Sequence, residues 1–138
     1  MAIAYLLDTN ICIYIAKRRP AGVAAKFARM APGSVGMSMV TYGELRYGAE
    51  KSARRDESLA VLVRLAELIP VLAPEAAAGE RYGIVRTELE RSGKPIGNND
   101  LWIAAHALAL GVVLVTNNSR EFERVPGLKV ENWADPQE

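Results

Sequence analysis

Three carboxylates lie beside boundaries between apolar and polar segments of the chain. Asp8 directly follows an apolar run at 2–7. Glu44 lies four residues past a second such segment at 34–40, and Asp100 precedes a third, longer one. Carboxylates that converge raise one another's pKa unless a cation neutralises them. A site of oxygen ligands alone favours Mg²⁺ or Mn²⁺ over zinc or copper, and Mg²⁺ commonly also binds substrate phosphate oxygens.

Each of the three acids also has a purely structural interpretation. Asp8 and Asp100 are both suited to cap a helix N-terminus. Glu44 follows Thr41 at the spacing of a capping box, in which Thr at N-cap and Glu at N3 satisfy each other's backbone donors. Taken singly, these interpretations compete well with a functional one. The functional hypothesis therefore depends on whether the acids meet.

The apolar patterning predicts the elements that would bring them together. We predict strands at 2–7, 34–40, 70–73 and 112–115, with a last edge strand at 128–130. We predict helices at 11–17, 21–31, 41–52, 56–69, 74–92 and 100–110. Short strands alternating with helices indicate a three-layer α/β/α domain with a mainly parallel sheet, spanning residues 1–138 as a single domain.

The carboxyl ends of parallel strands form one edge of such a sheet, and ligands bind beyond that edge. Asp8, Glu44 and the segment 116–118 all follow strands, so they are expected there. Asp100 joins them if its helix starts on the same side. That helix is apolar on nearly every side, which predicts a buried helix that holds Asp100 rigidly. Gly79 and Gly83 are expected to allow close approach of a neighbouring helix.

Composition excludes several classes of protein. Half of the 138 residues are apolar, which excludes a disordered chain, and the net charge of +1 neither favours nor opposes a nucleic-acid partner. Cys12 is the only cysteine, which rules out an internal disulfide and favours a cytoplasmic location. We expect no membrane span. His106 is the only histidine, so a two-histidine ribonuclease mechanism is impossible. His106 and Cys12 are interpreted as packing residues.

Three sets of residues together resemble the PIN-domain ribonucleases, and in particular the VapC-type toxins of bacterial toxin–antitoxin pairs. The first is Leu6-Leu7-Asp8-Thr9-Asn10, the second is Tyr42-Gly43-Glu44-Leu45, and the third is Ile96-Gly97-x-x-Asp100. The segments 115–118 and 120–122 continue the resemblance, which covers essentially the whole chain.

The resemblance implies a metal-dependent endoribonuclease. Asp8 and Asp100 would bind Mg²⁺ (or Mn²⁺) and Glu44 would ligate it through water, in a site that activates a water for attack on an RNA phosphodiester. Many members carry a fourth acid where this chain has Asn118, so a single metal is expected, and Asn118 joins Asp8, Glu44 and Asp100 as a candidate catalytic residue. Thr9 and Asn10 match positions that support the first aspartate or the metal-bound water.

The resemblance also implies partners. These are an RNA substrate, in this subgroup often tRNA, a cognate VapB-type antitoxin that blocks the cleft, and a second copy in a homodimer. The helices at 11–15 and 59–69 could supply the antitoxin groove. Basic residues offer candidates for binding phosphate, with Arg46 and Lys94 favoured by their nearness to the acids.

Two other classes remain open at this point. A magnesium-dependent phosphatase or phosphotransfer domain also uses an Asp after a strand, although Asn10 replaces the second Asp of a dehalogenase-type Asp-x-Asp motif. The second class is a non-catalytic regulatory domain whose acids only cap helices. Binding of Mn²⁺ would separate that class from the metal-dependent ones.

Overall fold

The computed structural model describes residues 2–134. Its sheet contains five short strands in the order β3-β2-β1-β4-β5, and every neighbouring pair is parallel. The strands are β1 (Tyr5–Leu7), β2 (Val35–Ser38), β3 (Val71–Leu72), β4 (Val113–Val115) and β5 (Val130–Glu131). The predicted parallel α/β/α architecture is confirmed, with strands shorter than their apolar runs suggested.

Helices cover both faces of the sheet. They are α1 (Thr9–Lys17), α2 (Ala21–Ala28), α3 (Met39–Glu50), α4 (Arg55–Leu68), α5 (Ala76–Arg91), α6 (Asn98–Leu110) and α7 (Ser119–Phe122). Successive strand residues point to opposite faces, and the fully buried Leu6 and Leu7 accordingly enter different cores. Leu7 packs with α1, α2 and α4, whereas Leu6 packs with α5, α6 and α7. None of the helices in the described range is both long and apolar enough to cross a membrane.

The β1–β4 junction is where the sheet changes its direction of growth. The chain adds β2 and β3 on one side of β1 and then returns to add β4 and β5 on the other. Ligand crevices in such sheets form at this switch point, beyond the carboxyl ends of the strands. Asp8 N donates to Val115 O at 2.9 Å, which joins the ends of the two strands directly beneath the crevice.

Two helices begin at different residues from those predicted, and both differences bear on the acids. Helix α3 starts at Met39, where Ser38 Oγ caps it by accepting from Val40 N at 3.2 Å. Thr41 is therefore a buried helical residue, and the predicted capping box with Glu44 is wrong. Helix α6 starts at Asn98 after Gly97, so Asp100 is its third residue and does not cap it. Of the three acids, only Asp8 caps a helix, because its Oδ1 accepts from Ile11 N at 3.0 Å at the start of α1.

Helix α6 is the buried helix that the sequence predicted. Every residue from Ile103 to Ala107 is buried. His106 is 2% exposed, and its Nδ1 lies 3.1 Å from Ser38 Oγ, the atom that caps α3. This buried contact ties the helix that carries Asp100 to the start of the helix that carries Glu44. Burial lowers the pKa of His106, which favours the neutral ring.

Glycine has different roles in β2 and α5. A Cβ at Gly36 would lie 2.8 Å from Leu72 Cδ1 and 3.3 Å from Pro70 O, so the Leu72 side chain and the backbone before β3 fill the space above this residue. The expectation for Gly79 and Gly83 is wrong, since a Cβ at either would meet no heavy atom within 4 Å. Of these three glycines, only Gly36 lies where a neighbouring segment leaves no room for a side chain.

These two environments predict opposite effects of the same substitution. Gly36→Ala should lower the free energy of unfolding by about 1–3 kcal/mol, the usual cost of overpacking a filled site. Gly79→Ala should raise it by up to about 1 kcal/mol, since alanine is the better helix former and has free space. Urea unfolding of both variants measures this difference. A Gly36→Ala protein as stable as the parent would show that β3 can move aside.

Candidate active site

A polar cleft opens at the predicted edge of the sheet. Its volume is about 160 Å³. Its lining comes from the ends of β1 and β4, the first turns of α1 and α6 and the second turn of α3, with a contribution from α7: Asp8, Thr9, Asn10, Glu44, Asp100, Asn118 and Phe122. All four predicted site residues (Asp8, Glu44, Asp100 and Asn118) thus come together, and their catalytic and metal-binding roles stay predictions.

Asp8 is the most deeply placed acid, with 7% of its surface exposed. Burial raises its pKa, and the charge of nearby Glu44 acts in the same direction. Hydrogen bonds from the Thr116 side chain and the Ile11 N–H oppose the rise because they stabilise the ionised form. Asp8 therefore both caps α1 and presents a carboxylate to the cleft, and the two roles are compatible.

Glu44 is fixed by contacts from other parts of the chain. Thr9 Oγ1 donates to Glu44 Oε1, and Asn99 Nδ2 donates to Glu44 Oε2 at 3.3 Å. Thr9 follows β1, Asn99 lies in the first turn of α6, and Glu44 lies within α3. One carboxylate thus links the three elements that form the cleft.

Asp100 is the most perturbed acid. Its pKa rises to about 7, first because of burial and next because of the charge of Glu121 and a hydrogen bond with it. Glu44 and Asp8 add smaller increases. Position in the first turn of α6 favours a negative charge, but that benefit does not outweigh the surrounding carboxylates. Strongly perturbed groups in a cleft are candidates for function.

Glu121 is a further acid of this region, and it was not predicted from the sequence as a site residue. It lies in α7, where Glu121 Oε1 accepts from Gly97 N at 3.3 Å. Asn118 Nδ2 donates to Glu121 Oε2, while the Asn118 backbone N donates to Thr116 Oγ1 at 2.9 Å. Glu121 therefore supplies a negative charge beside the position where the family pattern places an acid and this chain has Asn118. The sequence spacing could have indicated this residue, because Glu121 follows Asn118 by three positions and residues three apart meet on a helical turn.

The cleft has the electrostatics of a cation site. None of its seven lining residues is Lys or Arg, and its ligand atoms are carboxylate, amide and hydroxyl oxygens. Within residues 2–134, no three Asp, Glu, His or Cys side chains form a ready-made cluster around a single point. The pKa of Asp100 is raised first by burial and next by the charge of Glu121, and no cation among the lining residues opposes either effect. This donor set fits a hard divalent ion that keeps several of its waters.

Cys12 and Arg46 are placed as structural residues. Cys12 is fully buried, and burial raises the pKa of its thiol, which disfavours the nucleophilic thiolate. Arg46 Nε lies 2.7 Å from Glu50 Oε2 on the exposed face of α3, so its charge is already paired. Lys94 is exposed in the loop before α6 and remains the better phosphate candidate of the two.

A second, larger groove adjoins the cleft. Its volume is about 470 Å³, and α1, α3 and α4 form its walls. Ile13, Leu45 and Val61 give it an apolar surface, and it shares Thr9 and Glu44 with the acid cleft. Anything that fills this groove can therefore reach the acids. The predicted groove between the first and fourth helices is present.

Comparisons with known proteins agree with this arrangement. The PIN domain matches residues 5–128. The tRNA(fMet)-specific endonuclease VapC of Shigella flexneri is 47% identical over 130 residues, which cover 94% of this chain and 98% of that protein. Ribonuclease VapC2 of Haemophilus influenzae is 44% identical over 129 residues, covering 94% and 97%. The solved structure of VapBC-1 from nontypeable Haemophilus influenzae has a TM-score of 0.88 at 41% identity, covering 98% of this chain and 100% of that one.

Proposed function

Given that this chain belongs to the PIN-domain family, as a divalent-metal-dependent endoribonuclease of the VapC toxin type, we propose that its active site is the cleft containing Asp8, Glu44 and Asp100, with Glu121 beside it. The observation that carries the proposal is the convergence of three acids from separate elements on one cleft of about 160 Å³. We propose Mg²⁺ as its metal, because the donors are hard oxygen atoms.

The proposed roles follow from the burial and contacts of each acid. Asp8 and Asp100 would hold the ion directly, and Glu44 would do so through water. When bound, the ion would lower the pKa of a water and offset the charge on the scissile phosphate. Thr9 and Asn99 each donate to one oxygen of Glu44, so both carboxylate oxygens are held in position before substrate arrives. Such preorganisation is a main source of electrostatic catalysis.

Asp100 and Glu121 would form the acidic wall opposite Asp8. Without a cation, Asp100 holds a proton near neutral pH because burial and then the Glu121 charge disfavour its ionised form. Asn118 and Gly97 N donate to the two oxygens of Glu121 and keep it in place. We propose that Asn118 acts by positioning Glu121, without binding the metal itself.

For the substrate and partners, we propose tRNA(fMet), a VapB-type antitoxin and a second copy of the chain. The substrate rests on the similarity to an endonuclease of that specificity across nearly the whole chain. The antitoxin is proposed to fill the apolar groove of α1, α3 and α4. This groove shares Thr9 and Glu44 with the cleft, so a segment bound in it would reach the acids. The homodimer and the cytoplasmic location rest on the family resemblance. We also propose that residues 1–138 act as a single domain.

Cleavage mapping tests the activity and the substrate together. Total RNA is incubated with Mg²⁺ and either the parent protein or Asp8→Asn, and new 5′ ends are sequenced. The parent should produce ends concentrated in tRNA(fMet), and Asp8→Asn should produce roughly 10²–10³-fold fewer. Asparagine is also a good N-cap, so the variant should keep α1 intact. Full cleavage by Asp8→Asn would exclude the proposed site, whereas ends in other RNAs would exclude only the substrate.

A further inference from the structure

A separate cavity lies on the far side of the turn that carries Asp100. Its volume is about 220 Å³, between the end of α5 and the loop that leads into α6. Leu89 and Leu101 form a buried apolar floor, and Ile96 and Pro95 form one wall. Pockets for drug-sized ligands measure about 300–1,000 Å³, so this cavity suits a smaller, flat group.

The mouth of the cavity carries polar groups that are already held in position. Asn98 and Arg86 both line it. Arg86 Nη1 donates to Tyr82 Oη at 2.8 Å, and Tyr82 Oη donates in turn to Asn98 Oδ1. Tyr82 stacks on Trp102 with ring centroids 3.9 Å apart and planes 15° from parallel. This aromatic pair fixes a guanidinium and an amide at the rim, which lowers the entropic cost of using them for binding.

The cavity and the acid cleft are separated only by the first turn of α6. Asn98 and Leu101 line the cavity, while Asp100, between them in sequence, lines the cleft. Residues 98 and 101 are three apart and share a face of the helix, whereas residue 100 points to an adjacent side. A chain whose phosphate lies in the cleft can therefore place a neighbouring unit in the cavity.

Charge around the cavity favours a polyanion. Arg124 Nη1 donates to Pro95 O at 3.1 Å, and Lys94 is the adjacent exposed residue. Arg86 lines the cavity itself, but its charge is paired at 3.0 Å with Glu90, the acid of the lining, so Arg124 and Lys94 beside Pro95 are the cations available to a phosphate. Basic groups beside the cleft would hold the flanking phosphates that its acids repel.

We propose that this cavity is a base-binding subsite that receives one unpaired RNA base adjacent to the scissile phosphate. The inference rests on the proposed active site, since the cleft defines where the phosphate lies. Proteins recognise single-stranded RNA by accepting bases turned out of the stack between apolar, aromatic and guanidinium surfaces, with hydrogen bonds to the base edge. Leu89, Leu101 and Ile96 supply the apolar surfaces here, and Asn98 and Arg86 supply the edge contacts.

Selection from a pool of tRNA(fMet) variants, each with one single-stranded loop randomised and with the unchanged tRNA(fMet) included, tests the subsite. The parent, Glu90→Phe (which narrows the mouth), Asn98→Ala (which removes the amide) and Glu88→Phe are each incubated with the pool and Mg²⁺, and the cleaved ends are sequenced. Glu88 is an exposed α5 residue outside the cavity lining, so it controls for added bulk on the helix.

The parent should prefer one base within two nucleotides of the cleaved bond. Glu90→Phe and Asn98→Ala should reduce that preference roughly five- to tenfold while still cleaving the pool, and Glu88→Phe should keep it. An unchanged preference in both cavity variants would overturn the proposal. So would a change of oligomeric mass in Glu90→Phe, which would assign the cavity to a second copy. Failure of the parent to cut any pool member would contradict the proposed function itself.

Discussion

Asp100→Asn is expected to abolish RNA cleavage and, at the same time, to stabilise the metal-free protein at pH 8. The loss of activity should be roughly 10²–10³-fold, because one of the charged groups that organise the cleft is removed. The stability effect has the opposite sign because burial, and then the neighbouring like charges, disfavour the ionised Asp100 carboxylate. Its pKa is about 7, raised first by burial and then by Glu121.

Proton linkage gives the sign of this effect on stability. A carboxyl whose pKa is higher in the folded than in the unfolded state favours folding below its unfolded value near 3.8. That contribution is lost as the pH rises through the folded value of about 7. At pH 8 the parent therefore folds with an unfavourable charge that Asp100→Asn lacks, whereas at pH 4 the two proteins should be nearly equal.

Thermal unfolding with and without Mn²⁺ measures both effects. The metal-free midpoint of Asp100→Asn should exceed that of the parent at pH 8, and added Mn²⁺ should stabilise the parent much more than the variant. Glu88→Gln is the matched control, because it removes an exposed acid of α5 and should change neither result. If Asp100→Asn destabilised the metal-free protein at pH 8, then Asp100 would be a structural residue of α6.

Apolar periodicity and the prediction of a parallel sheet made the position of the site predictable. Parallel strands place their carboxyl ends on one edge, so Asp8 after β1 and the segment after β4 were expected at the same edge. The pairing of β1 with β4 makes them neighbours there. The buried character of α6 could also be predicted, because its apolar residues occupy nearly every side. These features depend on local pattern and on general rules for α/β connections.

The role of Glu44 could not be predicted from local pattern. Thr41 and Glu44 have the spacing of a capping box, yet Ser38 caps α3, because the helix begins as soon as β2 ends. The contacts that fix Glu44 come from Thr9 and Asn99, which are 35 and 55 residues away in sequence. Long-range contacts of this kind appear only after the elements pack.

The place of Glu121 in the acid cluster was likewise not predictable from local pattern. It follows Asn118 by one helical turn, but only the approach of Gly97 and Asp100 places it in the site. The tie between His106 and Ser38 likewise spans 68 residues. The lone histidine was identified as buried, whereas its partner at the start of α3 depended on the packing of two helices. Sequence thus located the site, and packing determined which side chains complete it.

Binding of Mn²⁺ to the parent protein is expected to weaken about tenfold for each pH unit below 7 and to be nearly constant above it. The ion needs the ionised carboxylate, so it competes with the proton that Asp100 holds. The pKa of about 7 sets the pH at which this competition begins. Isothermal calorimetry between pH 5.5 and 8.5 measures the dependence, and an affinity that is constant from pH 6 to pH 8 would refute it.

Glu121→Gln separates the two main causes of the raised Asp100 pKa. Burial acts first and the Glu121 charge second. The break is the pH below which the Mn²⁺ affinity begins to fall. Removing the Glu121 charge should move this break to lower pH, and the part of the pKa rise that is due to burial should remain. Glu123→Gln, an exposed change just beyond α7, should leave the break near 7. An unshifted break in Glu121→Gln would assign the raised pKa to burial alone. It would also leave Glu121 without an electrostatic role in the cleft.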